Sequence, residues 1–213
     1  MDSLTRHTDY GATGLNEADI NDDPMAQFAT WLQQAEEADI FEPNAMVLSS
    51  VEADGSPTSR TVLLKGLDAS GFEFVTNYES TKGRALLANP RVALLFPWYA
   101  LKRQVMITGM AAPTDDPTSD AYFARRPQGA QLAAWASDQS EPIARRDILD
   151  ERMAALEAQY PEGTTVPRPE KWGGFRVIPT RIEFWQGRSK RFHDRLRFSA
   201  QPDGSWVRER LQP

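Results

Sequence analysis

The sequence predicts a mainly β chain with several helices, of the α+β class, whose strands close into a barrel. Nine short strand-like runs follow one another at close spacing. Asp54-Gly55 and Asp203-Gly204 supply hairpin turns. Helical stretches are too few to alternate with every strand, which disfavours a doubly wound parallel sheet. No internal repeat is present.

Residues 1–22, rich in Asp, Asn, Gly and Thr, read as a mobile arm, and residues 23–213 as one domain. Asp23-Pro24 is an N-cap followed by proline at the first helical position. Met25, Phe28, Leu32 and Ala35 then mark one face of a helix ending near Asp39. Strands are expected over 45–51, 58–65 and 72–77, then a short helix over 80–89 closed by Asn89-Pro90. Strands over 92–96 and 104–112 follow, with a break at 113–117. Helices are predicted at 118–125, 128–136 and 141–160, the last with Leu149, Met153, Leu156 and Tyr160 along one side. A turn-rich stretch at 161–169 leads to strands over 174–178, 181–186, 191–199 and 206–211.

The 213 residues carry 24 Lys+Arg against 30 Asp+Glu, two His and no Cys. Without Cys there are no disulfides, thiolate nucleophiles or iron–sulfur clusters, and His7 and His193 alone do not make a metal site. The net charge of −6 conceals an asymmetry. Residues 1–42 hold one basic and ten acidic side chains, whereas residues 165–213 hold eleven basic and five acidic. A mildly basic body behind an acidic leader suits small anions such as phosphates better than nucleic acid, and no membrane partner is expected. No signal peptide, membrane-length apolar run or glycosylation sequon is visible, so a cytoplasmic location is expected.

Nucleotide-binding glycine motifs, a metalloprotease helix and a nucleophile elbow are all absent. Cationic and aromatic clusters remain. Arg60 and Lys65 bracket the apolar run Thr61-Val62-Leu63-Leu64 and differ in parity, so a regular strand would send them to opposite faces and to two anions or two ends of one ligand. Ser80-Thr81-Lys82-Gly83-Arg84 opens a helix, where free N–H groups, hydroxyls and a lysine suit phosphate. Tyr122 and Arg126 lie one helical turn apart. The densest cluster is Glu183-Phe184-Trp185-Gln186-Gly187-Arg188-Ser189-Lys190-Arg191-Phe192-His193-Asp194-Arg195. Strand alternation would place Arg191, His193 and Arg195 on one face, awaiting an anion or the carboxylates of Glu183 and Asp194.

That cluster resembles the signature of the pyridoxamine 5′-phosphate oxidase family in residue type and spacing. Supporting matches are Arg60–Lys65, Asn89-Pro90-Arg91, Phe96-Pro97-Trp98, Arg103-Gln104-Val105, Arg126-Pro127, Gln139-Ser140 and Trp172-Gly173-Gly174-Phe175-Arg176. The resemblance implies an FMN-binding split β-barrel with peripheral helices, dimeric, with FMN sites shared across the interface. It implies FMN contacts from Arg60, Thr61, Val62, Leu63, Leu64, Lys65, Val75, Thr76, Lys82, Gln104, Gln139, Ser140, Trp185 and Arg195. Lys65, Tyr122 and Arg126 would hold the substrate phosphate, and Arg191 and His193 would act on the pyridine ring as catalytic residues. The implied reaction is oxidation of pyridoxamine or pyridoxine 5′-phosphate to pyridoxal 5′-phosphate, with O2 as acceptor, H2O2 as product and no metal.

The chain departs from the family pattern at three places. Ala130 stands where many relatives have Ser, Thr81 stands where a basic residue is common, and the covering motif reads Arg6-x-x-x-Tyr10 rather than Arg-x-x-Tyr. Two other readings remain open at this stage: a related FMN oxidase acting on another ring, as in phenazine biosynthesis, and a non-catalytic flavin-binding protein.

Overall fold

Asp23 opens the first helix. Its carboxylate accepts from the Met25 N–H, and Pro24 begins α1 (Pro24–Glu37), whose buried face is Met25, Phe28, Trp31 and Ala35. The face therefore centres on Trp31 rather than on the expected Leu32, which is only half-buried. The computed structural model describes residues 4, 5 and 8–213; Arg6 and His7 lie outside the described residues.

The strands, all antiparallel to their neighbours, are β1 (Ala45–Val51), β2 (Pro57–Leu63), β3 (Gly66–Asp68), β4 (Gly71–Asn77), β5 (Arg91–Trp98), β6 (Arg103–Pro113), β7 (Trp172–Gln186), β8 (Asp194–Ala200) and β9 (Trp206–Leu211). Between them lie α2 (Thr81–Ala88), α3 (Asp116–Ala124), α4 (Gln128–Ala136) and α5 (Asp147–Gln159). The spatial order is β2-β1-β5-β6-β7-β4-β3, with β8 added to β7 and β9 to β8. The two ends of that order are consecutive in sequence. Leu64 donates its N–H to Asn44 O and Lys65 donates to Glu73 O, so the chain stitches the sheet edges together and closes the barrel.

β7 is where the barrel splits. It pairs with β6 along its length, while its other edge pairs with β4 through Trp172–Val177 and with β8 through Arg181–Gln186. The exchange of partners falls at Pro179, which has no N–H to give, beside a register shift between Thr108 and Gly109. The two strands expected over 174–178 and 181–186 are thus one strand with an irregularity. A Cβ on Gly109 would lie 2.2 Å from the Ile178 carbonyl oxygen, so only glycine allows the strands to pass there.

Inside the barrel, the alternating inward residues Phe72, Phe74, Phe96, Val105, Ile107, Val177 and Phe184 are completely buried. Phe28 of α1 plugs this core, its ring 4.9 Å from that of Phe72 and 4.8 Å from that of Phe96, both edge-to-face. A second, smaller cluster of Phe123, Leu132, Val166 and Trp172 joins α3 and α4 to the start of β7.

Three further expectations are corrected. The segment expected as an arm is built into the body at least from Leu15, since Leu15 and Ile20 are buried in the core. Asp194 Oδ2 accepts from the Leu15 N–H, Arg210 pairs with Glu17 at 2.7 Å and Arg208 with Asp22 at 3.1 Å. Two carboxylates of the acidic leader thus pair with two arginines of β9. The strand expected over 191–199 starts only at Asp194, because Lys190 and Arg191 have φ of +57° and +64° in a tight turn. The helix expected over 141–160 starts at Asp147: Ser140 has φ +76°, and Asp138, paired with Arg152 and Lys171, holds the preceding residues as a loop. β3, only three residues long, was not expected as a strand.

Gly109→Ala is expected to destabilise the fold by about 1–3 kcal/mol or more, since the new methyl must part β6 from β7. Urea denaturation measures this; an unchanged midpoint would show that the strands can separate there freely.

Candidate active site

A cavity of about 640 Å³ lies where β2 and β4 face α3 and α4. β2 contributes Thr61, Val62 and Leu63, with Lys65 just beyond it; β4 contributes Val75 and Thr76. Lys82 enters from α2, Tyr122 from α3, Arg126 from the turn before α4, and Gln139 from the loop held by Asp138. Among the described residues, three cations line this space and no Asp or Glu does.

Ser80 caps α2, accepting from the Gly83 N–H, which places Lys82 in the first turn of a helix directed at the cavity. Its ammonium donates to neutral oxygens only: Gln139 Oε1 at 2.7 Å, Thr76 Oγ1 at 3.1 Å and Ser80 Oγ at 3.3 Å. Burial, reinforced by the charge of Arg60, lowers its pKa to about 8. Arg60 lies outside the lining, donating to Ser50 Oγ, Thr58 Oγ1 and the Leu48 and Thr58 carbonyls. Burial likewise lowers the pKa of Arg60 and of Arg126. Arg126 has its guanidinium carbon 4.5 Å from the centre of the Trp172 ring.

The other expected residues form a second group. Gln104, Trp185 and Arg195 occupy one row across β6, β7 and β8, on the face opposite buried Val105, Phe184 and Leu196. Arg195 is tied to Glu183 by two hydrogen bonds of 2.7 and 3.1 Å. Arg191 and His193 sit on the turn before β8, so they do not share a strand face with Arg195 as alternation suggested. His193 Nδ1 accepts from the Arg188 N–H at 3.0 Å, which leaves the hydrogen of the neutral ring on Nε2. Burial, then the charge of Arg191, lowers the His193 pKa, which favours the neutral ring. Tyr10 packs edge-on against Trp185 at 5.8 Å and His193 at 5.3 Å, with the Arg191 guanidinium 5.6 Å from its ring centre.

These two groups do not meet within one chain. Trp172, which lines the cavity, and Trp185 stand near opposite ends of the same strand, thirteen residues apart. Three expected residues fall outside both groups: Arg60 is turned to Ser50 and Thr58, Leu64 is buried in the core, and Ser140 lies in the loop beside Gln139. Ala130 lines the cavity, whereas Thr81, the first residue of α2, does not. Asn77, Ser137, Ala133, Ala134 and Trp172 also line the cavity, although no charge or motif spacing marks them in the sequence as site residues, and Trp172 stands only at the start of a matching segment.

Residues 32–160 match the family model described as pyridoxamine 5′-phosphate oxidase, and residues 172–213 match the pyridoxine 5′-phosphate oxidase C-terminal dimerisation region. The chain belongs to the pyridoxamine 5′-phosphate oxidase family. It is 53% identical over 208 residues to the pyridoxine/pyridoxamine 5′-phosphate oxidase of Streptomyces avermitilis, covering 96% of this chain and 93% of that one. The enzyme of the same description from Synechocystis is 54% identical over 204 residues, covering 96% and 94%. Among solved structures, PhzG from Burkholderia lata, in complex with tetrahydrophenazine-1-carboxylic acid, superposes with a TM-score of 0.89 at 31% identity, covering 96% of this chain and all of that one.

The cofactor of this oxidase family is FMN, and the cavity suits it. Cations without carboxylate partners meet a phosphate, and the surrounding walls are largely apolar. No group of described residues forms a metal-binding cluster, and no helix among them is long and apolar enough to cross a membrane.

Because an anion favours the charged form of Lys82, FMN binding to the FMN-free protein is expected to weaken as pH rises through about 8. Lys82→Met should flatten that part of the profile. Without ligand, the depressed pKa means the unfolded chain binds more protons between about pH 8 and 10.5, so this group's penalty on folding is relieved as pH rises. Titration of FMN binding by fluorescence at several pH values checks the first effect; a profile identical in the variant would contradict it.

Proposed function

We propose that this chain, as a homodimer with shared active sites, oxidises pyridoxamine 5′-phosphate and pyridoxine 5′-phosphate to pyridoxal 5′-phosphate. The amine reaction consumes O2 and water and releases ammonia and H2O2; the alcohol reaction consumes O2 and releases H2O2. The observation that carries this reading is the cavity with three cations and no carboxylate, enough to receive a cofactor phosphate and a substrate phosphate together.

FMN, when bound, supplies the two-electron acceptor for the hydride equivalent lost from the substrate C4′ carbon. Lys82, supported by Arg60, Thr76, Gln139 and Ser140, holds its phosphate, and Thr61, Val62, Leu63 and Val75 line its seat, with Leu64 anchoring that run in the core. Lys65, Tyr122 and Arg126 hold the substrate phosphate, which agrees with the placement of Arg60 and Lys65 on different surfaces. Gln104, Trp185 and Arg195 of a second copy complete the flavin site, and Arg191 and His193 of that copy complete the substrate site. Residues 172–213, which match a dimerisation region, carry four of these five.

In this arrangement neutral His193 donates its Nε2–H to the amine or hydroxyl on C4′, oriented by the Arg188 N–H on Nδ1. Arg191 covers the pyridine, and Tyr10 packs against both side chains. A phenazine-type activity like that suggested by PhzG would have no use for a substrate-phosphate set, yet Lys65, Tyr122 and Arg126 converge on the same cavity.

Anaerobic mixing of the FMN-loaded protein with pyridoxamine 5′-phosphate is expected to bleach the flavin band at about 450 nm. An unchanged spectrum with both B6 phosphate esters would favour a flavin-binding protein without this activity. Arg191→Ala should lower kcat/KM by about 100-fold or more with FMN content retained. Unaltered kinetics would remove Arg191 from the site.

A further inference from the structure

Arg126 is a half-buried cation whose charge no carboxylate offsets, and what holds it is aromatic. Its guanidinium lies 4.5 Å from the centre of the Trp172 ring and 5.9 Å from that of Phe123. The same Trp172 ring is stacked with Tyr122, with centroids 6.2 Å apart and planes within 22°. Trp172 thus touches two of the three side chains that converge on the substrate end of the cavity, Tyr122 and Arg126, while itself being 5% exposed. Its own position is fixed from behind. The Trp172 carbonyl accepts from Arg168 Nη1 at 2.7 Å, and Arg168 is anchored to Asp116 and Asp120 of α3 at 2.6 Å each. One arginine therefore ties the start of β7 to the helix that carries Tyr122.

The choice of partner has a chemical consequence. A carboxylate would cancel the Arg126 charge and occupy two of its five N–H donors. A ring face orients the guanidinium plane through its quadrupole and leaves the donors at the guanidinium edge available to an anion. We infer that Trp172 is a positioning residue for substrate: an aromatic platform that holds Arg126 and Tyr122 in register for the phosphate without competing for it. This rests on the reading of Arg126 and Tyr122 as ligands of the substrate phosphate.

The test compares Trp172→Leu, which keeps an apolar side chain but no ring, with Trp172→Phe, which keeps a ring face, in the FMN-loaded enzyme. Trp172→Leu should raise KM for pyridoxamine 5′-phosphate about tenfold, while Trp172→Phe should stay within about threefold of the parent enzyme. In both, kcat should change by less than about threefold, since the platform acts on binding. With unphosphorylated pyridoxamine, kcat/KM should be the same in both variants. Melting temperatures and FMN content are recorded alongside. Equal KM values in the two variants, or a loss confined to kcat and thermal stability, would overturn the inference and leave Trp172 a packing residue. Arg126→Ala serves as the control. A large rise in its KM alongside equal Trp172 variants overturns the platform alone, whereas an unchanged KM in Arg126→Ala overturns the phosphate reading and the platform together.

Discussion

The structure turns on β7, a single fifteen-residue strand that keeps one partner along its length and exchanges the other halfway. The exchange requires a residue without an N–H, Pro179, and a neighbour without a side chain, Gly109, at the same level of the sheet. Because β7 continues through the irregularity, the cavity lies at its beginning and the Trp185 row at its end. A site that needs both must be assembled from two chains. The functional reading and the homodimer are in this sense one claim.

Charge follows the same division. Most cations near the end of the chain are compensated within it: Arg195 by Glu183, Arg197 by Glu209, Arg208 by Asp22, and Arg210 by Glu17 and Asp194. The acidic leader is part of this compensation, and the Arg210 hydrogen bond holds the Glu17 carboxyl down to about 2. The cavity is different. Lys82 has only neutral oxygens and Arg126 only aromatic faces, and burial depresses the pKa of each. Buried cations left uncompensated are unfavourable for the ligand-free fold and favourable for an anion that arrives.

Much of this was legible in the sequence. The N-cap at Asp23, the strand at 45–51, the helix at 128–136 and the last strand at 206–211 follow from local chemistry and periodicity, and Lys65, Lys82, Tyr122 and Arg126, which the family resemblance names, all line one cavity. What escaped depends on contacts distant in sequence. Pro179 reads as a break locally, but pairing with β6 carries β7 past it. Arg191 reads as a strand residue, whereas a turn of positive φ takes it out of the row shared by Trp185 and Arg195. Leu15 and Ile20 look like apolar residues in a polar leader until strands β8 and β9 provide carboxylate and guanidinium partners for the chain around them. Trp172 carried no titratable group to mark it, and its place beneath Arg126 exists only when β7 meets α3 and α4.

The most direct test of the two-chain site is complementation between two inactive variants. Arg126→Ala disables the cavity group and His193→Ala disables the turn group, and each is expected to be nearly inactive alone when assayed well below the KM of the parent enzyme. Unfolding and refolding an equimolar mixture lets mixed dimers form, each with one site built wholly from unaltered residues. Activity should return to about a quarter of that of the parent enzyme, since half the dimers are mixed and each has one intact site. A mixture no more active than its components, with mixed dimers demonstrated by differential tagging, would show that each chain builds its site alone and would contradict the account.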